Sequence, residues 1–190
     1  MATFTLEKSK AVLLIIDVQN ALYPVVERGP DVIESLFKVI KGFQILNLPI
    51  FISEQYPKGL GETLVQLKTL LGEQYRPWKK TAFSCVQDPE FQSHLESQPQ
   101  SQWILAGLET HICVFQTAKD LLRLGKQVLV LNDATSSRSI FDFSTGIAEL
   151  RDAGARISST ETVLFELLKD SKAPEFKLIS EMIRSHSLWC

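Results

Sequence analysis

"AVLLIID", residues 11–17, is an unbroken apolar run that ends in an acid. The design repeats along the chain in "PIFISE" (49–54), "QWILAG" (102–107) and "QVLVLND" (127–133), with a weaker version in "ARISS" (155–159). Runs this short, apolar on both faces, suit parallel strands covered by helices on each side. "TAFSCV" (81–86) is the candidate for a sixth. Helical patterns lie between them. "DVIESLFKVIKGFQIL" (31–46) sets Ile33, Leu36, Phe37, Ile40 and Phe43 on one face. "ICVFQTAKDLLRLG" (112–125) aligns Val114, Ala118, Leu121 and Leu122, with Gly125 as its stop, and "SIFDFSTGIAELRDAG" (139–154) closes on Gly154. "PEFKLISEMIRS" (174–185) reads as a last helix with Pro174 near its first turn. Strand–helix alternation of this kind specifies a doubly wound α/β fold with right-handed crossovers.

With 190 residues, 45% hydrophobic and 22% charged, the chain fits one well-buried domain over residues 1–190, and no linker or repeat divides it. A net charge of −2, with basic residues scattered, offers no surface for nucleic acid or an anionic membrane. No segment approaches the roughly 20 apolar residues of a membrane span. "MATFTLEKSK" lacks the apolar core of a signal peptide, so the expected location is cytoplasmic. The 3 cysteines, Cys85, Cys113 and Cys190, form no CxxC and no zinc-type Cys/His spacing, which suits a reduced compartment and leaves Cys113 a free thiol.

Doubly wound sheets bind ligands at the carboxyl ends of their strands. There, in "GLETHICVF" (107–115), Thr110 is a natural N-cap and places Cys113 in a helix's first turn. Unpaired amides and the positive end of the helix dipole favour a thiolate, the usual state of a cysteine nucleophile. The same cysteine also suits a core as a small hydrophobe. Asp17 closes the first strand, where a buried acid needs a partner or a task, such as orienting a base or capping the next helix. A thiol nucleophile needs a base. His111 lies two residues from Cys113 and points elsewhere, while His94 and His186 read as solvent-exposed. Lys79 and Lys80 precede an apolar alternation, so one of them can point inward, although two solvated lysines fit the composition as well.

Three stretches in order, "LLIIDVQN", "KKTAFSCV" and "ILAGLETHICV", resemble the isochorismatase-like cysteine hydrolase superfamily. "SEQYPKGLG" and "DATSSRS" extend the resemblance to its isochorismatase domain-containing subgroup, over essentially the whole chain. The resemblance implies a Rossmann-like, six-stranded parallel sheet of order 3-2-1-4-5-6 with helices on both faces. It implies an Asp-Lys-Cys triad at Asp17, Lys80 and Cys113, with Lys80 preferred to Lys79 because it stands ahead of Phe83-Ser84. It also implies a cis peptide at Leu108–Glu109, aiming the amides of Glu109 and Cys113 at an oxyanion. True isochorismatases lack the cysteine, so Cys113 speaks against vinyl-ether cleavage. Nicotinamidases of the superfamily hold a metal through an Asp-x-His pair after strand 2. "SEQYPKGLG" has no histidine, so no metal and no cofactor are expected.

The resulting expectation is a cysteine hydrolase of a small amide or related carbonyl compound, working through a thioester. Gln19, Glu54, Gln55, Tyr56 and Phe83 are pocket candidates at the strand-end crevice, while Pro57, Gly59 and Gly61 shape a turn. Ser136, Ser137 and Arg138 suit either an anion at a helix start or a cap with an exposed charge. The partners expected are a small-molecule substrate and further copies of the chain, since such proteins commonly assemble and the apolar "LWC" terminus suits an interface. The alternative is a catalytically idle scaffold or binding member of the same family.

Overall fold

The computed structural model describes residues 4–185. Six parallel strands form one sheet in the order β3-β2-β1-β4-β5-β6: β1 Ala11–Ile16, β2 Ile50–Gln55, β3 Trp78–Lys80, β4 Gln102–Leu108, β5 Gln127–Ser136 and β6 Arg156–Ser158. The helices are α1 Gly29–Ile45, the single turn α2 Pro57–Leu60, α3 Val65–Leu71, α4 Pro89–Ser97, α5 Phe115–Arg123, α6 Ile140–Asp152, α7 Thr160–Leu168 and α8 Phe176–Arg184. Among the described residues no helix is long and apolar enough to cross a membrane.

Every residue of β1 is buried, because the sheet is covered on both faces. Leu13 and Ile15 face a core completed by α1, α3, α7 and α8. Val12, Leu14 and Ile16 face the other, built with α4, α5 and α6. Gly125 and Gly154, both at positive φ, follow the ends of α5 and α6 as stops. Pro174 lies two residues ahead of α8, not in its first turn.

The sixth strand lies at Trp78–Lys80 and not at residues 81–86. The Lys80 ammonium bonds the carbonyls of Ala82 (3.4 Å) and Phe83 (3.0 Å), folding the chain back over its own side chain. A 3₁₀ turn, Cys85–Gln87, follows, capped by the Ser84 hydroxyl. His94 also departs from expectation: it is half-buried, its ring packed against Phe51 and Trp78.

The centre of the sheet, between β1 and β4, is the switch point where the strand order reverses. There Gly107 has φ 118°, and a Cβ on it would stand 2.0 Å from the Ile16 carbonyl oxygen. Only glycine allows β4 to press this closely on β1 as both strands end.

Candidate active site

Asp17 leaves β1 at φ 52°, a left-handed conformation that aspartate tolerates better than most residues. Its amide donates to the Ser53 carbonyl at 3.2 Å. Its carboxylate accepts from the Ser53 hydroxyl at Oδ1 (2.7 Å) and from Lys80 Nζ at Oδ2 (2.6 Å). The Asp17 and Lys80 side chains are 0% and 1% exposed, so the ion pair is sealed from water.

Lys80 reaches this place because β3 alternates: Lys79 points out and is exposed, while Lys80 points in. Its Nζ has four acceptors, Asp17 Oδ2, Gln55 Oε1 (2.7 Å) and the Ala82 and Phe83 carbonyls. Burial opposes the ammonium, but Asp17 and, to a lesser degree, Cys85 and Cys113 outweigh it and leave the lysine pKa above its ordinary value. Burial likewise raises the Asp17 carboxyl above the usual carboxylate range, against the pull of Lys80 and of the Ser53 and Cys113 hydrogen bonds.

Cys113 is buried on a π-helical turn, Thr110–Val114, that runs directly into α5. Its thiol lies within the influence of the Asp17 carboxylate. Burial and the Asp17 charge push its pKa well above that of an ordinary thiol, more than Lys80 pulls it down. This corrects the expectation of a resting thiolate: desolvation and an adjacent carboxylate outweigh the helix start. Thr110 is not the side-chain cap either, since its hydroxyl bonds the Thr135 hydroxyl and the turn opens on Glu109.

The Leu108–Glu109 peptide is cis, as the resemblance implies. Glu109 is buried, and its carboxylate accepts from Arg138 Nε (2.8 Å) and from the Arg138 amide (3.3 Å). His111 Nδ1 lies 2.9 Å from Ser137 Oγ, away from the thiol. Ser139 caps α6, so the 136–138 stretch ties neighbouring loops together and leaves no open cap for an anion.

The pocket candidates divide. Gln19 gives Nε2 to the Gln55 and Gly61 carbonyls and accepts from the Gln55 amide. Glu54 Oε1 accepts from the Thr63 amide, the Thr63 hydroxyl and Tyr75. Gln55 joins Lys80 to the Thr81 carbonyl. All three use their polar atoms to build the loop after β2. Tyr56 and Phe83, each 53% exposed, are on the surface of the loops after β2 and β3. Sequence reading did not single out Ser53, although a serine inside the apolar "PIFIS" run was the available signal. Burial pushes the Cys85 thiol up to about 11, and its amide donates to Thr117 Oγ1 at 3.0 Å. His186, Cys190 and "LWC" lie outside the described residues. Among the described residues no group of three or more His, Cys, Asp or Glu side chains is placed to hold a metal ion.

Comparison with known proteins agrees with this fold. A family model described as the isochorismatase domain matches residues 11–162. Isochorismatase domain-containing protein 2A of Mus musculus is 36% identical over 92% of this chain and 82% of its own. A protein of Phytophthora sojae named secreted isochorismatase effector Isc1 is 35% identical over 93% and 85%. The solved structure of a Caenorhabditis elegans protein described as MAR1 ribonuclease superposes with a TM-score of 0.90 at 33% identity, covering 96% of this chain and 94% of that one. The chain belongs to the isochorismatase family.

Proposed function

We propose that the protein is a hydrolase of a small amide or related carbonyl compound, with Cys113 as nucleophile and Asp17 and Lys80 as its proton-handling pair. The observation that carries this reading is the meeting of Asp17, Lys80 and Cys113, from three strand ends, in one buried cluster at the switch point. Lys80, with four acceptors on its ammonium, has no lone pair to offer, so the base is Asp17.

In the proposed cycle the Cys113 proton passes to Asp17 as sulfur attacks the carbonyl carbon. The amides of Glu109 and Cys113 receive the oxyanion. Asp17 returns the proton to the leaving nitrogen, the C–N bond breaks and a thioester remains. Asp17, again a carboxylate, then takes a proton from water as it attacks the thioester, and the carboxylic acid departs with the thiol restored. Lys80 keeps its proton throughout and holds the carboxylate in place. No step calls for a metal or cofactor.

We infer a reducing, cytoplasmic setting, in which Cys85 and Cys113 stay free thiols, although the Phytophthora relative is named as secreted. A homo-oligomer is supported by Ile140 and Phe141, 48% and 80% exposed at the start of α6. The net charge of −2 favours a small molecule over the RNA that the C. elegans relative's name suggests. The test is a screen of small amides with an RNA arm, on wild type and Cys113→Ala. Amide turnover that Cys113→Ala abolishes supports the reading. RNA cleavage that survives this substitution, or no turnover beside an inert Cys113, displaces it in favour of a nuclease or an idle scaffold.

A further inference from the structure

Ser53 has no exposed surface, yet it is a polar residue in a strand whose neighbours Ile50 and Ile52 pack in the core. It stands opposite Ile16 in the β1–β2 register, one residue before Asp17. From there its carbonyl accepts the Asp17 amide at 3.2 Å and its hydroxyl donates to Asp17 Oδ1 at 2.7 Å. The hydroxyl has a single proton, and Asp17 takes it. The Cys85 thiol lies behind Ser53. Cys85 is itself fixed, its amide donating to Thr117 Oγ1 at 3.0 Å, one turn beyond Cys113 on the same helical run. The Ser53 hydroxyl is thereby committed to Asp17 Oδ1. Lys80 holds Oδ2 from the other side.

We propose that Ser53 is a positioning residue of this site, gripping Asp17 at two points and fixing which carboxylate lone pair receives the Cys113 proton. The proposal rests on the hydrolase reading above. The groups facing Asp17 are Lys80 from β3, Cys113 from the turn before α5, Ser53 from β2 and Cys85 behind Ser53. With one lone pair of Oδ1 occupied by Ser53 and Oδ2 held by Lys80, the accepted proton stays on the side of the sulfur. It can then be returned there to the leaving nitrogen.

The test uses the intact protein and iodoacetamide, with the Cys113 peptide followed by mass spectrometry from about pH 4 to 10. Ionised Asp17 takes the Cys113 proton as sulfur attacks the reagent, so the wild-type rate rises in a step as Asp17 titrates and then levels. Ser53→Ala removes a hydrogen bond that favours the carboxylate. The step moves to higher pH by about one pH unit, the size of a hydrogen bond to a charged group. Ser53→Thr, which keeps the hydroxyl, restores it. A step that Ser53→Ala leaves in place, even with a lowered melting temperature, overturns the inference and makes Ser53 a packing residue. So does a threonine variant that behaves like alanine. A wild-type Cys113 that resists alkylation while folded overturns the hydrolase reading first, and this inference falls with it.

Discussion

Replacing Lys80 with methionine keeps the length of the side chain and removes its charge, leaving Asp17 with no exposed surface and no cation. Breaking a buried ion pair on one side costs about 3–5 kcal/mol, because the remaining charge stays desolvated. For a chain of this size each kcal/mol corresponds to roughly 2–4 °C, so the melting temperature at neutral pH falls by about 6–20 °C. The pH dependence carries its own sign. Burial already raises the Asp17 carboxyl, and the variant loses the attraction of Lys80 that opposed it. In the unfolded chain Asp17 ionises near 3.9. The penalty of Lys80→Met is therefore small below that pH and grows as pH rises towards the elevated folded value. Adding Asp17→Asn removes the stranded charge, and the double variant recovers part of the loss. Calorimetric melts of both single variants and the double variant, at about pH 4 and 7, decide it. A Lys80→Met melt within about 2 °C of wild type at neutral pH, less than one kcal/mol of change, would refute the reasoning.

Gly107→Ala brings a methyl to 2.0 Å from the Ile16 carbonyl oxygen, and the expected result is loss of folded protein on expression or a destabilisation above about 3 kcal/mol in urea. Arg138→Ala leaves buried Glu109 with no guanidinium, and a loss of about 1–3 kcal/mol is expected in the same assay. Burial holds the Cys85 thiol at about 11, so alkylation of its peptide is expected to stay negligible through neutral pH and to rise towards that value. Glu166 is held below its usual range by hydrogen bonds from Arg156 (2.7 Å) and the Leu6 amide (2.8 Å). That stabilisation is present above the ordinary carboxylate pKa and is lost as pH falls through the lower folded value. Glu166→Gln is accordingly expected to cost on the order of 1 kcal/mol at neutral pH and to flatten the acid end of the stability profile.

The strands with a continuous apolar signature were legible because burial on both faces leaves no other composition for them. β3 was not, since its three residues are "WKK" and a buried lysine looks like a solvated one until its partners are known. The apolar alternation of "TAFSCV" drew the strand a few residues downstream, where the carbonyls of Ala82 and Phe83 turn to the Lys80 ammonium instead of a neighbouring strand. Asp17 and Cys113 stood out through their place at strand ends, but the state of the thiol did not. A helix start is written in the local sequence, whereas the burial and the carboxylate that outweigh it come from residues far along the chain. Gln19, Glu54 and Gln55 show the same limit: proximity to the crevice was readable, and the direction of their polar atoms was not.

Lys80 is the last residue of a three-residue strand at the margin of the sheet, tied to Asp17 at its centre. Fraying of that strand, the cheapest local opening an edge offers, separates the lysine from the carboxylate in the same motion. The buried ion pair is thus a latch between the edge of the sheet and its centre. An opening at this edge takes the cation away from the carboxylate while the rest of the sheet stays paired. Hydrogen exchange at the amides of β3 is therefore expected ahead of any global melting.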